Sequence, residues 1–225
     1  MLGDISGKYE SGNRADAVST GAGDLGGVSY GAHQFIAPVA NKFVKWLQYT
    51  GSPYGELLAQ EKAGTAAFSN LWRQVARQDY EGFLQLQHDY TKMQYYDPAV
   101  GLLAQENYHV GKHSQAVGEM VFSRAVQYGA KWVPELFLKG MKFYTPPYLN
   151  LSYVDAPNFD RQLIQGVYDF LVACCDEASY NGSIYCDCEQ WTCGSYDVVK
   201  IGLRNRFLNE KQDLLQLLDK EEAEC

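Results

Sequence analysis

The chain has 225 residues, 46% of them hydrophobic and 20% charged, which is enough for a sizeable core and excludes disorder as its general state. A formal charge of −8 with scattered Lys and Arg argues against nucleic acid as a partner, and the one basic cluster, KIGLRNRFLNEK, reads as a solvated helix face. No run approaches the ~18 apolar residues of a membrane span, and MLGDISGKYE has neither the basic nor the apolar region of a signal peptide.

In chain order, the first thirty-four residues are glycine-rich and irregular. Glu10 is placed to close a first short helix, while Asp24 falls in a loop that Gly21, Gly23, Gly26 and Gly27 free to bend. Residues 35–49 then set Ile36, Val39, Ala40, Phe43, Val44 and Leu47 on one helical stripe, broken by Gly51, Ser52 and Pro53. The helical pattern continues through 65–78 and 79–95, with Asp97-Pro98 as a boundary. Residues 113–128 read as a buried helix that Gly129 caps. Residues 142–158 hold three prolines and no period, so they read as a long connector.

A further amphipathic helix is predicted from about Phe159 to Cys174. The last begins near Ser195 and carries Leu203, Phe207, Leu214, Leu217 and Leu218. Between these two lies a cysteine-rich insert at about 174–193, with Asn181-Gly182 as a hairpin turn. Its Cys-x-Cys spacing with no nearby His fits a zinc site loosely and leaves disulfides and free thiols open. The pattern as a whole is a mainly α chain with a short irregular or β-containing N-terminal segment, one domain over 1–225, in two lobes at most.

The chemistry concentrates at the start. Glu10 and Asp24 lie fourteen positions apart, one at a helix end and one in a loop. Different surroundings drive two similar carboxyl groups to different protonation states. A glycosidase needs that difference: one neutral carboxyl to protonate the leaving oxygen and one ionised on the opposite face of the sugar. The 17 Tyr and 4 Trp suit sugar faces, and equally suit an aromatic core. Other chemistries fit less well. His33, His88, His109 and His113 lack the spacing of a metal hydrolase, so no metal and no cofactor is expected. Ser29, in GVSYG, does not sit in a Gly-x-Ser-x-Gly elbow, and GAGDLGG lacks the Lys-Ser/Thr ending of a phosphate loop.

KYESG followed by VSTGAGDLGGVSYGAHQF resembles the start of the peptidoglycan-hydrolase domain found at the C-terminus of some VgrG-type spike proteins of type VI secretion, and of similar phage lysins. FLQLQHDYTKMQYYDPA, SQAVGEMVFSRAVQYG and RNRFLNEKQDLL resemble later blocks of that family in the same order, so the likeness covers essentially the whole chain. Through the Glu followed by Asp-x-Gly-Gly-x-Ser-x-Gly, the family in turn resembles chitosanases of the lysozyme superfamily. The resemblance implies a lysozyme-like fold with two lobes around a glycan cleft. It makes Glu10 the general acid, Asp24 the general base, and Ser29 the hydroxyl that helps hold the attacking water.

Tyr30, His33 and Gln34 follow the Asp24 loop so closely that they are expected to line the sugar site, with Gln127 and Tyr128 facing them across the cleft. A loop carboxylate beside a water-orienting Ser favours an inverting mechanism. The expected activity is endo-cleavage of the β-1,4 glycan of peptidoglycan in the bacterial cell wall or periplasm. The protein would be released by a holin, injected, or carried on a phage tail, spike or secretion machine. The alternatives are a chitosanase acting on glucosamine polymers, or a non-catalytic glycan-binding or structural phage module.

Overall fold

The computed structural model describes residues 2–19, 27–144, 150–176, 191–192 and 197–224. They divide into two compact units, residues 3–94 and residues 95–225, the second including Leu2. Helices dominate both, as the mainly α reading expects, and the strands among the described residues are confined to the N-terminal segment.

The first unit opens with α1 (Asp4–Glu10) and a minimal sheet. Strand β1 (Ser29–Tyr30) pairs antiparallel with β2 (Phe35–Ile36), and Val18 bridges Tyr30 from the other side. Four helices follow: α2 (Ala37–Tyr49), α3 (Pro53–Leu58), α4 (Ala66–Gln78) and α5 (Tyr80–Thr91). Of the predicted stripe, Ala40, Phe43, Val44 and Leu47 are buried. Ile36 belongs to β2 instead and is exposed.

The α4–α5 corner is written in side chains. Thr65 Oγ1 accepts the Phe68 N–H at 3.1 Å to cap α4. Asp79 ends α4 and caps α5, its carboxylate accepting the Gly82 N–H at 3.0 Å and the Tyr54 hydroxyl at 2.8 Å. The core between these helices is aromatic: Trp72 meets Phe83 at 4.8 Å between ring centroids, and Phe43 meets Tyr90 at 5.2 Å. Edge and tilted packing of this kind adds about 0.5–1.5 kcal/mol per pair to the burial itself.

An element boundary falls at Asp97-Pro98, as expected, though without a gap in the helical backbone. A π-helical turn over Lys92–Tyr96 leads directly into α6 (Asp97–Gln105), with Pro98 in its first turn.

The second unit continues with α7 (Gln115–Tyr128), α8 (Val133–Tyr144), α9 (Asp160–Cys175) and α10 (Asp197–Glu224). Helix α7 is capped by Ser114, is buried from Ala116 to Ala125, and ends at Gly129 with φ 85°. Its Arg124 and the Glu210 of α10 are both fully buried and paired at 2.7 Å. The guanidinium also lies against the Tyr168 and Phe207 rings. The connector predicted from residue 142 begins later, because α8 runs to Tyr144. Within it, residues 150–159 form two short 3₁₀ turns, the first held by the Asn150 side chain.

Cys174 is disulfide-bonded, and Cys175 keeps a buried free thiol that burial pushes up to about 11. The predicted Asn181-Gly182 turn and Cys186, Cys188, Cys193 and Cys225 lie outside the described residues. Among the described residues no helix is long and apolar enough to cross a membrane, and no group of His, Cys, Asp and Glu is arranged to hold a metal.

Candidate functional site

Glu10 is the last residue of α1, as its position in the sequence suggests, and is half-buried. The helix stops there because the chain turns through Gly12 (φ 70°) and Asn13 (φ 59°). Asn13 then folds back over α1, its backbone N–H bonding the Gly7 carbonyl at 3.0 Å and its side-chain amide the Asp4 carbonyl at 3.1 Å. Glycine at position 7 leaves room for this fold-back, since a Cβ there would lie 1.7 Å from Asn13 Oδ1 and displace that side chain.

Ser11, next to Glu10, ties this helix end to the hairpin. Its hydroxyl donates to the Ala32 carbonyl at 2.9 Å and accepts the Arg14 N–H at 3.1 Å. Ala32 is held from the core as well, where the buried Gln87 Oε1 accepts its N–H at 2.8 Å. Gln87 Nε2 and Trp72 Nε1 both donate to the Ala15 carbonyl, at 3.2 and 2.9 Å. Gly31 makes this grip possible: a Cβ there would lie 2.1 Å from Gln87 Oε1, and its φ of 72° suits glycine.

The two ends of the segment that carries Asp24 are zipped together. Gly31 N–H donates to the Ala17 carbonyl at 2.7 Å, Ser19 N–H to the Ser29 carbonyl at 2.9 Å, and Ser29 N–H to Ser19 Oγ at 2.8 Å. Asp24 itself lies outside the described residues.

Ser29 and Gln34 meet directly. The Ser29 hydroxyl donates to Gln34 Oε1 at 2.6 Å, and Gln34 Nε2 donates back to the Gly31 carbonyl at 3.0 Å. Gln34 holds a left-handed backbone, φ 50°, which a non-glycine residue adopts at a cost.

Tyr30 stands elsewhere. It has no exposed surface, packs at 5.0 Å against Phe68, and its hydroxyl accepts the Gly64 N–H and bonds Ser69. It therefore braces the hairpin from inside, with no surface left for a sugar. The reason is that its side chain enters the helical core, where the ring packs against Phe68 and Trp72.

His33 is also nearly buried, its ring 6.3 Å from Phe35 and 6.0 Å from His88. Burial, helped by the neighbouring His88, pushes its imidazole down to about 3, so the side chain is neutral. In the second unit, Gln127 Nε2 donates to the Tyr128 hydroxyl, which donates to the Trp191 carbonyl at 2.9 Å.

Sequence reading did not find Ser11, Asn13, Trp72 or Gln87. The last two lie 57 and 72 residues from the Ala15 carbonyl they share, and no local pattern marks a distant side chain that grips one peptide.

The first unit is thus a small helical core on which a helix-terminal carboxylate, a hydroxyl and an amide are arranged by backbone hydrogen bonds along a short hairpin. Comparison with known proteins makes the class specific. Residues 2–191 match the family described as "Type VI secretion system spike protein VgrG3-like, C-terminal", and the chain belongs to that family. It is similar to the type VI secretion system spike protein VgrG3 of Vibrio cholerae serotype O1 (strain ATCC 39315 / El Tor Inaba N16961), with 32% identity over 133 residues. That match takes in 58% of this chain and 13% of the relative, so the chain corresponds to a small part of the whole spike protein.

Proposed function

We propose that this domain hydrolyses the β-1,4 glycan of peptidoglycan by an inverting mechanism and that a type VI spike carries it to the cell wall or periplasm of a target bacterium. Glu10 protonates the leaving oxygen as the glycosidic C–O bond breaks. A water oxygen bonds the anomeric carbon from the opposite face, and its proton passes to Asp24. Ser29 orients that water, and His33 shapes the wall beside it.

The observation that carries the reading is the bond from Ser11 to Ala32, which holds the residue after Glu10 against the turn that follows Ser29. A reacting pair needs this kind of fixed frame, because catalytic geometry decays steeply with misplacement. An inverting pair also needs room for water, with carboxyl groups roughly 6.5–9.5 Å apart against about 5–5.5 Å for a retaining one.

Lysis of purified sacculi by wild type and by a Glu10→Gln variant of unchanged fold tests the acid. Turnover is expected to fall by on the order of 10²–10⁴. Wild-type lysis by the variant would remove the assignment, and inert wild type would favour a binding module. The charge of −8 supports a second reading, a chitosanase acting on cationic glucosamine polymers. Digestion of chitosan beside sacculi separates the two enzymes.

A further inference from the structure

The orientation of the Gln34 amide is fixed by its two partners. Nε2 donates to the Gly31 carbonyl at 3.0 Å, so Oε1 is the atom that faces Ser29 at 2.6 Å. The opposite orientation would set two oxygens against each other at Gly31. Because Oε1 only accepts, Ser29 has to donate, and a serine hydroxyl has one proton. With that proton committed to Gln34, Ser29 Oγ meets any further ligand as an acceptor.

This matters for a nucleophilic water. Such a water must keep one lone pair aimed at the reacting carbon while its two hydrogens are held. If Ser29 donated to the water, it would tie up the second lone pair, draw electron density from the oxygen and leave one hydrogen unheld. If Ser29 accepts, it holds one hydrogen while the base takes the other.

We infer that Gln34 is a positioning residue that fixes the polarity of the Ser29 hydroxyl, making Ser29 an acceptor for the attacking water, and that it is not a sugar contact. The inference rests on the glycosidase reading above. The left-handed backbone of Gln34, φ 50°, fits it, since it turns the side chain back toward Ser29 instead of along the chain. Ser29 is held from behind as well, its N–H on Ser19 Oγ at 2.8 Å and its carbonyl on the Ser19 N–H. Once Gln34 is gone, the rotation of the hydroxyl is what remains free.

The test is a double-mutant cycle on sacculus hydrolysis with Ser29→Ala, Gln34→Gly and the pair. Glycine at position 34 removes the side chain while accepting the positive φ, so the backbone is not strained. Gln34→Gly should lower kcat by on the order of 10-fold or more with KM nearly unchanged, and should cost nothing further in the Ser29→Ala background. Gln34→Glu keeps an acceptor facing Ser29 and should retain more kcat than Gln34→Gly at acidic pH, where its other oxygen can carry a proton and donate to the Gly31 carbonyl. It also serves as the second probe if the glycine variant folds poorly.

Additive losses, a rise in KM alone, or wild-type kcat in Gln34→Gly would each overturn the inference. Glu10→Gln, assayed alongside, separates the two levels. If it is inactive while the cycle is additive, only the role of Gln34 fails. If it is active, the assignment of Glu10 as the acid fails first; if wild type is inert, the glycosidase reading fails.

Discussion

The two units are organised by different kinds of polar bond. In the first, the buried polar groups around the candidate site are neutral amides, hydroxyls and an indole that grip backbone: Gln87 on Ala32 and Ala15, Trp72 on Ala15, Ser11 on Ala32. In the second, charges themselves are buried. Arg124 and Glu210 are paired with no exposed side-chain surface, and His113 is set between Asp160 at 2.6 Å and Asp155 at 3.2 Å. Burial works against the Asp155 charge, yet bonds from Lys112, His109 and His113 hold its carboxyl below the ordinary range. Neutral grips fix backbone position through single hydrogen bonds. Ionic pairs fix helices against one another, and fail abruptly when one partner is removed.

The largest stability loss should therefore follow from removing one half of the buried ion pair. Glu210→Ala leaves the Arg124 guanidinium buried without its counter-charge and should destabilise the protein by about 3–5 kcal/mol in denaturant unfolding. An Arg124→Met, Glu210→Leu double variant should recover most of that loss. Equal losses in the single and double variants would show that the pair contributes little as a pair.

Next is the neutral grip. Gln87→Leu keeps volume but leaves the Ala32 N–H buried and unpaired, at a cost of about 1–3 kcal/mol. It should lower sacculus turnover as well, because Ala32 is also the anchor of Ser11. Glu210→Ala, at a temperature where it stays folded, should affect turnover less. The reverse order would break the comparison.

The helices that do the packing were legible in the sequence. The 3.6-residue stripe in 35–49 and the apolar run in 113–128 emerge as α2 and α7, and Gly129 caps the latter as read. Glu10 at a helix end was legible from the short run before Gly12. Helix α6 was hidden behind an Asp-Pro boundary because a proline in a first turn looks like a stop. The burial of Tyr30 and His33 was not legible either. Both lie beside two-residue strands whose cover comes from helices dozens of residues later, such as Phe68 and His88. The Ser29–Gln34 bond spans five positions but depends on a left-handed backbone at Gln34 that nothing in the local residue types demands.

A smaller effect concerns pH. The folded His33 imidazole lies at about 3 against an ordinary 6.5, so below about pH 6.5 the unfolded chain takes up a proton that the folded chain refuses. Its share of stability is full above pH 6.5 and is lost as pH falls toward 3, by at most about 1.4 kcal/mol per pH unit. His88 is lowered too, chiefly by burial, and acts in the same direction. His33→Phe should flatten this slope in unfolding curves measured from pH 7 to 4; an unchanged slope would assign it to other groups.

The smallest effect is expected at the surface, where Arg161 reaches Asp219 and Glu222 at 2.7 Å with all three side chains well exposed. Arg161→Ala should change stability by no more than about 1 kcal/mol, and less in high salt. A loss as large as that of Glu210→Ala would erase the distinction between buried and exposed charge.

Glu10 and Asp24, as proposed, act as one glycan-cleaving pair. Mass spectrometry of soluble products from sacculi treated with wild type, Glu10→Gln and Asp24→Asn tests it most directly. New sugar reducing ends with intact peptide stems are expected from the wild type, and none above background from either variant. Cleaved peptide stems with uncut glycan, or the same products from all three proteins, would contradict it.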